Sequence, residues 1–109
     1  MKKISILAGT AICIVDLSSC GTTGWGPPPP VTTEWSRAAA RQHVDVRTLR
    51  AGRALFVSRC IECHTLPVVS RYNASDWPCL VDAMSERASL KKSERDAIVA
   101  YILAARAQP

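Results

Sequence analysis

An all-α fold is what this sequence predicts, on three stretches in which apolar residues return every three or four positions, the first two behind a residue placed to start a helix. Asp45 stands ahead of the first, running to about Cys60, where Leu49, Gly52, Phe56 and Cys60 share one face. Ser75 stands ahead of the second, Asp76 to about Arg87, with Pro78 in the first turn where a missing N–H does little harm, and with Trp77, Leu80 or Val81, Met84 and Ala88 facing inward. The third runs from Lys92 to Arg106. Ile98, Tyr101, Ile102 and Ala105 form its inner face, while Arg95, Asp96 and Arg106 are expected in solvent. Gly52 has no side chain and would let the first helix approach the last closely near Ile98 or Tyr101.

Only part of the 109 residues belongs to this fold. Met1-Lys2-Lys3 followed by an apolar stretch from Ile4 to Val15 has the form of a secretory signal, and is too short for a transmembrane helix of roughly 20 apolar residues. Leu17-Ser18-Ser19-Cys20-Gly21 resembles the lipoprotein box of bacteria. The resemblance implies that residues 1–19 are removed and that Cys20, now the first residue, is lipidated and holds the protein to a membrane; the alternative is ordinary cleavage with a spare thiol. Residues 20–43 read as a Pro/Gly/Thr-rich tether, stiffened by Pro27 to Pro30 and expected to hold the domain away from that membrane. Trp25 and Trp35 are read there as linker aromatics, with docking of Trp35 on the domain left open. The domain proper is then 44–109, a chain that buries little apolar area without a further staple.

Composition narrows the function. With 48% hydrophobic and 21% charged residues the chain is globular in character. Lys and Arg outnumber Asp and Glu by 14 to 9, but the cations are scattered rather than clustered as in nucleic-acid-binding tracts, so no nucleic acid is expected as partner. No pairing of nucleophile with base, no paired carboxylates and no phosphate loop is visible, and an enzyme is not expected.

The staple is Cys60-Ile61-Glu62-Cys63-His64, the spacing of c-type haem attachment. Cys60 and Cys63, three positions apart, present both sulfurs on one side of a helical turn, where they can form thioethers with the two vinyl groups of one haem; His64 is then placed to bind iron. The competing readings are a redox dithiol, which would want a βαβ surround, and half a zinc site, which would want further ligands.

Gly52-Arg53-Ala54-Leu55-Phe56 ahead of Cys60, Thr65-Leu66-Pro67 after His64, and then Trp77, Met84, Leu90, Glu94, Ile98, Tyr101 and Ile102 together resemble a small class I cytochrome c. The resemblance covers about Leu49 to Leu103 and implies a small helical domain of three main helices wrapped around one covalently bound haem c. It implies Met84, twenty residues after His64, as the second iron ligand, and an exported periplasmic electron carrier whose redox partner proteins bind weakly and transiently. Other readings stay open. Met84 could be a core residue, leaving a five-coordinate haem that senses or binds NO, CO or peroxide. His43 is the rival ligand, with a surface histidine as the default. A carbonyl of Leu66, Pro67 or the loop beyond should take the other ring proton of His64. Arg71, Tyr72 and the indole of Trp77 are candidates for a haem propionate, against solvated loop and plain core packing. Cys79 has no assigned partner and is read as a small buried hydrophobe. Lys91 stands where related modules have a Ser or Thr cap, so the first turn of the last helix is expected to fray.

Overall fold

A computed structural model describes residues 27–108; the expected signal 1–19, Cys20 with its expected lipidation, and Trp25 lie outside them. The described chain forms four helices and no strand: α1 (Thr33–Arg41), α2 (Val46–Arg59), α3 (Trp77–Ser85) and α4 (Lys92–Arg106), with a short 3₁₀ turn at Cys60–Glu62 continuing α2.

α2 and α4 are the central pair, and their crossing is built on Gly52. A Cβ there would overlap the Ala97 carbonyl oxygen and lie 2.6 Å from its carbon and 2.9 Å from Tyr101 Cβ, so only a residue without a side chain permits this approach. Leu49 and Phe56 of α2, Trp77 of α3, and Ile98, Tyr101 and Ile102 of α4 are fully buried around the crossing. Phe56 meets the Trp77 ring edge-on with centroids 6.5 Å apart and lies 6.1 Å from the Tyr101 ring.

Helix starts differ in detail from the sequence reading. Asp45 occupies the N-cap position of α2 in extended geometry, and its carbonyl accepts from Leu49, but its side chain caps nothing and pairs with exposed Arg47. Ser75 does not cap α3 either. Its hydroxyl donates to Asp76, which occupies the N-cap position with no side-chain cap, and Pro78 stands in the first turn as expected. α3 ends at Ser85, yet Leu90 N–H to Ser85 O at 2.8 Å and Ser89 N–H to Glu86 O at 3.1 Å continue the turn through left-handed Ser89, so the wound segment reaches past Arg87. α4 starts without a Ser or Thr cap, but Glu94 Oε2 accepts from the Lys91 N–H at 2.8 Å, half of a capping box that ties down the first turn.

The larger correction concerns the tether. Residues 33–41 are helical: Thr32 Oγ1 accepts from Trp35 N–H, Glu34 lies in the first turn and Arg41 in the last, each favourable to the helix dipole. Trp35 and Ala39 are buried, with Trp35 6.2 Å from the Tyr101 ring, so Trp35 does dock. Ahead of α1, Arg53 donates to the carbonyls of Pro28 and Pro29 at 3.0 and 3.1 Å, and Tyr101 Oη donates to Pro29 O at 2.8 Å. The proline run is therefore fastened to the domain as a strap instead of standing off it.

His43 closes α1. It is left-handed, with φ 59°, between His43 N–H to Ala40 O at 3.1 Å and Val44 N–H to Ala39 O at 2.9 Å, the paired bonds of a Schellman ending. A left-handed residue is needed there, and histidine tolerates it better than most.

Candidate functional site

The end of α2, the 3₁₀ turn and α3 enclose one cleft, and all four residues expected to hold a haem line it: Cys60, Cys63, His64 and Met84. Its walls are otherwise largely apolar, with Phe56, Pro67, Trp77, Val81, Ala88 and Leu90. α2 delivers Cys60 at its C-cap; tightening of the chain into the 3₁₀ turn carries it through Ile61 and Glu62 to Cys63 and His64. α3 presents Met84 from the other side, one turn beyond buried Val81, and Met84 is half-buried at the cleft rather than sealed in the core. His43, exposed on the α1–α2 connection, does not line the cleft.

His64 is exposed, and its Nδ1 lies 2.8 Å from the Thr65 carbonyl. A carbonyl only accepts, so Nδ1 carries the proton and donates, leaving the lone pair on Nε2. The sequence reading placed this acceptor at Leu66 or beyond; it is one residue earlier. The tautomer is the one a metal-binding histidine requires with iron on Nε2.

Burial, and after it the neighbouring Cys63, pushes the Cys60 thiol above its ordinary value. Attacking dithiols have depressed values, so the environment of Cys60 does not suit a thioredoxin-like motif. Among the described residues no three His, Cys, Asp or Glu side chains converge as a metal site. Cys60, Cys63 and His64 all line the cleft.

The donor set and apolar walls fit a haem. The enclosed space, about 110 Å³, is smaller than the roughly 300–1,000 Å³ of ligand pockets. Cys63 and His64 border it on the exposed side.

Two cations at this cleft were not singled out from sequence. Arg59 and Arg87 both line it, and neither is in an ion pair among the described residues. Both were findable: Arg59 directly precedes Cys60, and Arg87 follows Met84 by three positions, one helical turn along the same side. Conversely, Arg71 and Tyr72 lie outside the cleft lining, Arg71 stacking over Tyr72 at 5.8 Å and Tyr72 meeting Trp77 edge-on at 5.5 Å. The Trp77 indole donates to Val69 O at 3.1 Å, so Trp77 is a core residue with its polar atom satisfied. Arg106, expected in solvent, turns inward to the same oxygen at 2.8 Å. Arg95 bonds Asp82 of α3 and Asp96.

A larger groove of about 640 Å³ lies between α1, α3 and α4, walled by Trp35, Ala39, Leu49, Val99 and Leu103 among others. It contains none of the four expected ligands, but Cys79, exposed and free, borders it, which corrects the reading of that thiol as buried. Among the described residues no helix is long and apolar enough to cross a membrane. No family model, curated protein or solved structure matches the chain.

Proposed function

We propose that the protein is an exported monohaem c-type cytochrome that carries single electrons between redox partner proteins, with one haem c bound covalently through Cys60 and Cys63 and its iron held by His64 and Met84. The observation that carries this reading is the convergence of those four side chains on one apolar cleft, with His64 already in the tautomer that frees Nε2. Export through the 1–19 signal and anchoring by a lipidated Cys20 complete the proposal, since haem attachment to such a motif takes place outside the cytoplasm.

When bound, the haem supplies a one-electron iron couple; the chain does the rest. Cys60 and Cys63 would hold the haem covalently and His64 would bind its iron through Nε2, with the Thr65 carbonyl holding the imidazole in place. Met84 would bind the iron with a soft, neutral thioether, which would favour reduced iron and raise the potential. Phe56, Trp77, Val81 and Leu90 exclude water. With the iron held by both His64 and Met84 there would be no open site for a substrate, and the molecule would act as a carrier rather than a catalyst.

The reading of Met84 is tested by Met84→Ala in holoprotein. The weak long-wavelength band of ferric haem with a sulfur ligand is expected in the parent and absent in the variant, with a lower midpoint potential. A band that survives the substitution removes Met84 as ligand; a parent protein lacking the band, and binding CO without prior displacement of a ligand, points to the five-coordinate sensor instead.

A further inference from the structure

The charges of the described chain are unevenly placed. Residues 27–59 carry six arginines against Glu34 and Asp45, whereas residues 60–108 carry six cations against six acids, so the basic excess belongs to the α1–α2 half alone. Arg37 and Arg41, four positions apart, are exposed on the side of α1 away from buried Trp35 and Ala39. Arg47 and Arg50, three apart, are exposed on α2 away from buried Leu49 and Gly52. Residues 42–45 join the two helices, and the four side chains flank that corner. The one acid within 37–50 is Asp45, which lies 3.5 Å from Arg47 in solvent; Arg37, Arg41 and Arg50 are in no ion pair among the described residues.

Cys60 closes α2 at the end remote from Arg47, roughly 20 Å along the helix axis at 1.5 Å per residue, so the corner and the cleft stand at opposite ends of α2. A protein that exchanges electrons at the cleft would not cover the corner. The strap indicates what does. Arg53, one turn beyond Arg50, and Tyr101 hold the carbonyls of Pro28 and Pro29, so the domain begins at Pro28 and not at residue 44. Fully extended, the chain from Cys20 to Pro28 spans at most about 30 Å, against roughly 80 Å had it been free as far as residue 44. We propose that the corner of Arg37, Arg41, Arg47 and Arg50 rests on the anionic phospholipid surface of the membrane to which Cys20 holds the chain; the inference rests on the anchoring reading above and not on the haem. Guanidinium groups pair well with lipid phosphates, and cations gathered near an anionic surface act together. Seated in this way, the domain keeps its cleft end off the bilayer and open to partners.

The test is co-sedimentation of the chain from residue 20 onward, exported behind a non-lipoprotein signal and carrying Cys20→Ser so that no acyl chain contributes, with vesicles of phosphatidylcholine alone or mixed with phosphatidylglycerol. Binding is expected to the mixed vesicles only, and to weaken as salt is added. Arg41→Gln combined with Arg50→Gln, one from each helix, should weaken it about tenfold or more. Lys91→Gln combined with Lys92→Gln removes the same charge next to Leu90 of the cleft, and should weaken it less than about threefold. If the arginine pair fails to fold, Arg37→Gln combined with Arg47→Gln is expected to show the same loss. Equal weakening by the arginine and lysine pairs would overturn the proposal in favour of net charge alone. Absence of binding to the mixed vesicles would overturn it too, as would an acidic protein partner that needs these arginines while vesicles do not bind. The intact mass of the native exported protein shows whether Cys20 carries acyl chains, which separates failure of the anchoring reading from failure of the corner.

Discussion

A single methyl group added at Gly52 acts on backbone, not on a flexible side-chain end, because its nearest neighbours are the carbonyl oxygen and carbon of Ala97. Alanine gains about 1 kcal/mol of helix propensity over glycine. Separation of α2 from α4 loosens the contacts of Leu49, Phe56, Ile98 and Tyr101, and overpacking of this kind costs about 1–3 kcal/mol or more. The overlap wins: Gly52→Ala is expected to destabilise by about 2 kcal/mol or more in denaturant titration. Unchanged stability would mean that the helices do not cross there. At Tyr101 burial raises the phenol above its ordinary value, with Arg53 working the other way. The fold therefore keeps the proton to higher pH than the unfolded chain does. The resulting stability is complete below about pH 10 and is lost as pH rises through the folded value. Tyr101→Phe should cost about 0.5–1.5 kcal/mol at pH 7 through the lost bond to Pro29, and should fall less steeply than the parent in melting temperature above about pH 10. Parallel curves for the two proteins would contradict this account of Tyr101.

At the scale of elements, α2, α3 and α4 were legible because each repeats its apolar positions over several turns, and Gly52 marks the crossing in the midst of one such face. α1 was not. It has nine residues, of which only Trp35 and Ala39 are buried, a single i, i+4 pair that shows no period, and it follows four prolines that by themselves read as spacer. The bonds that fasten the strap, from Arg53 and Tyr101 to proline carbonyls, join residues 24 to 72 positions apart and use backbone acceptors that every residue has. No residue type at 27–30 announces them. Capping was not legible: Asp45 and Ser75, read as caps, have suitable side chains that bond elsewhere or not at all as caps, whereas the bonds that do form come from Thr32 and Glu94, which were not read as caps. Because Trp35 packs on Tyr101, the 27–41 segment belongs to the cooperative unit. Trp35→Ala is expected to lower stability by about 3–5 kcal/mol in a single transition. A loss well below 1 kcal/mol would return the segment to the role of a tether.

For the molecule as a whole, the helices bury a core at the α2–α4 crossing, yet they leave a second apolar surface at the cleft, and that surface is where the sequence placed its chemistry. The four residues of the proposed haem site stand out in the sequence because Cys60, Cys63 and His64 form a compact motif and Met84 is the only methionine besides Met1, and the fold brings them to one cleft. The cations were harder to see: ten arginines are scattered along the chain, Arg59 and Arg87 are marked only by their places beside Cys60 and Met84, and only folding shows that Arg106 turns inward. In the proposed role as an electron carrier, the excess of basic residues would give mild steering toward acidic partners, which salt would weaken. All of this depends on a porphyrin being joined to the chain. The most direct measurement is the intact mass of the protein exported from cells competent in cytochrome maturation, taken after alkylation under denaturing conditions. The account predicts one added haem, with Cys60 and Cys63 both unmodified by the alkylating reagent; a mass without haem, with both thiols alkylated, would contradict it.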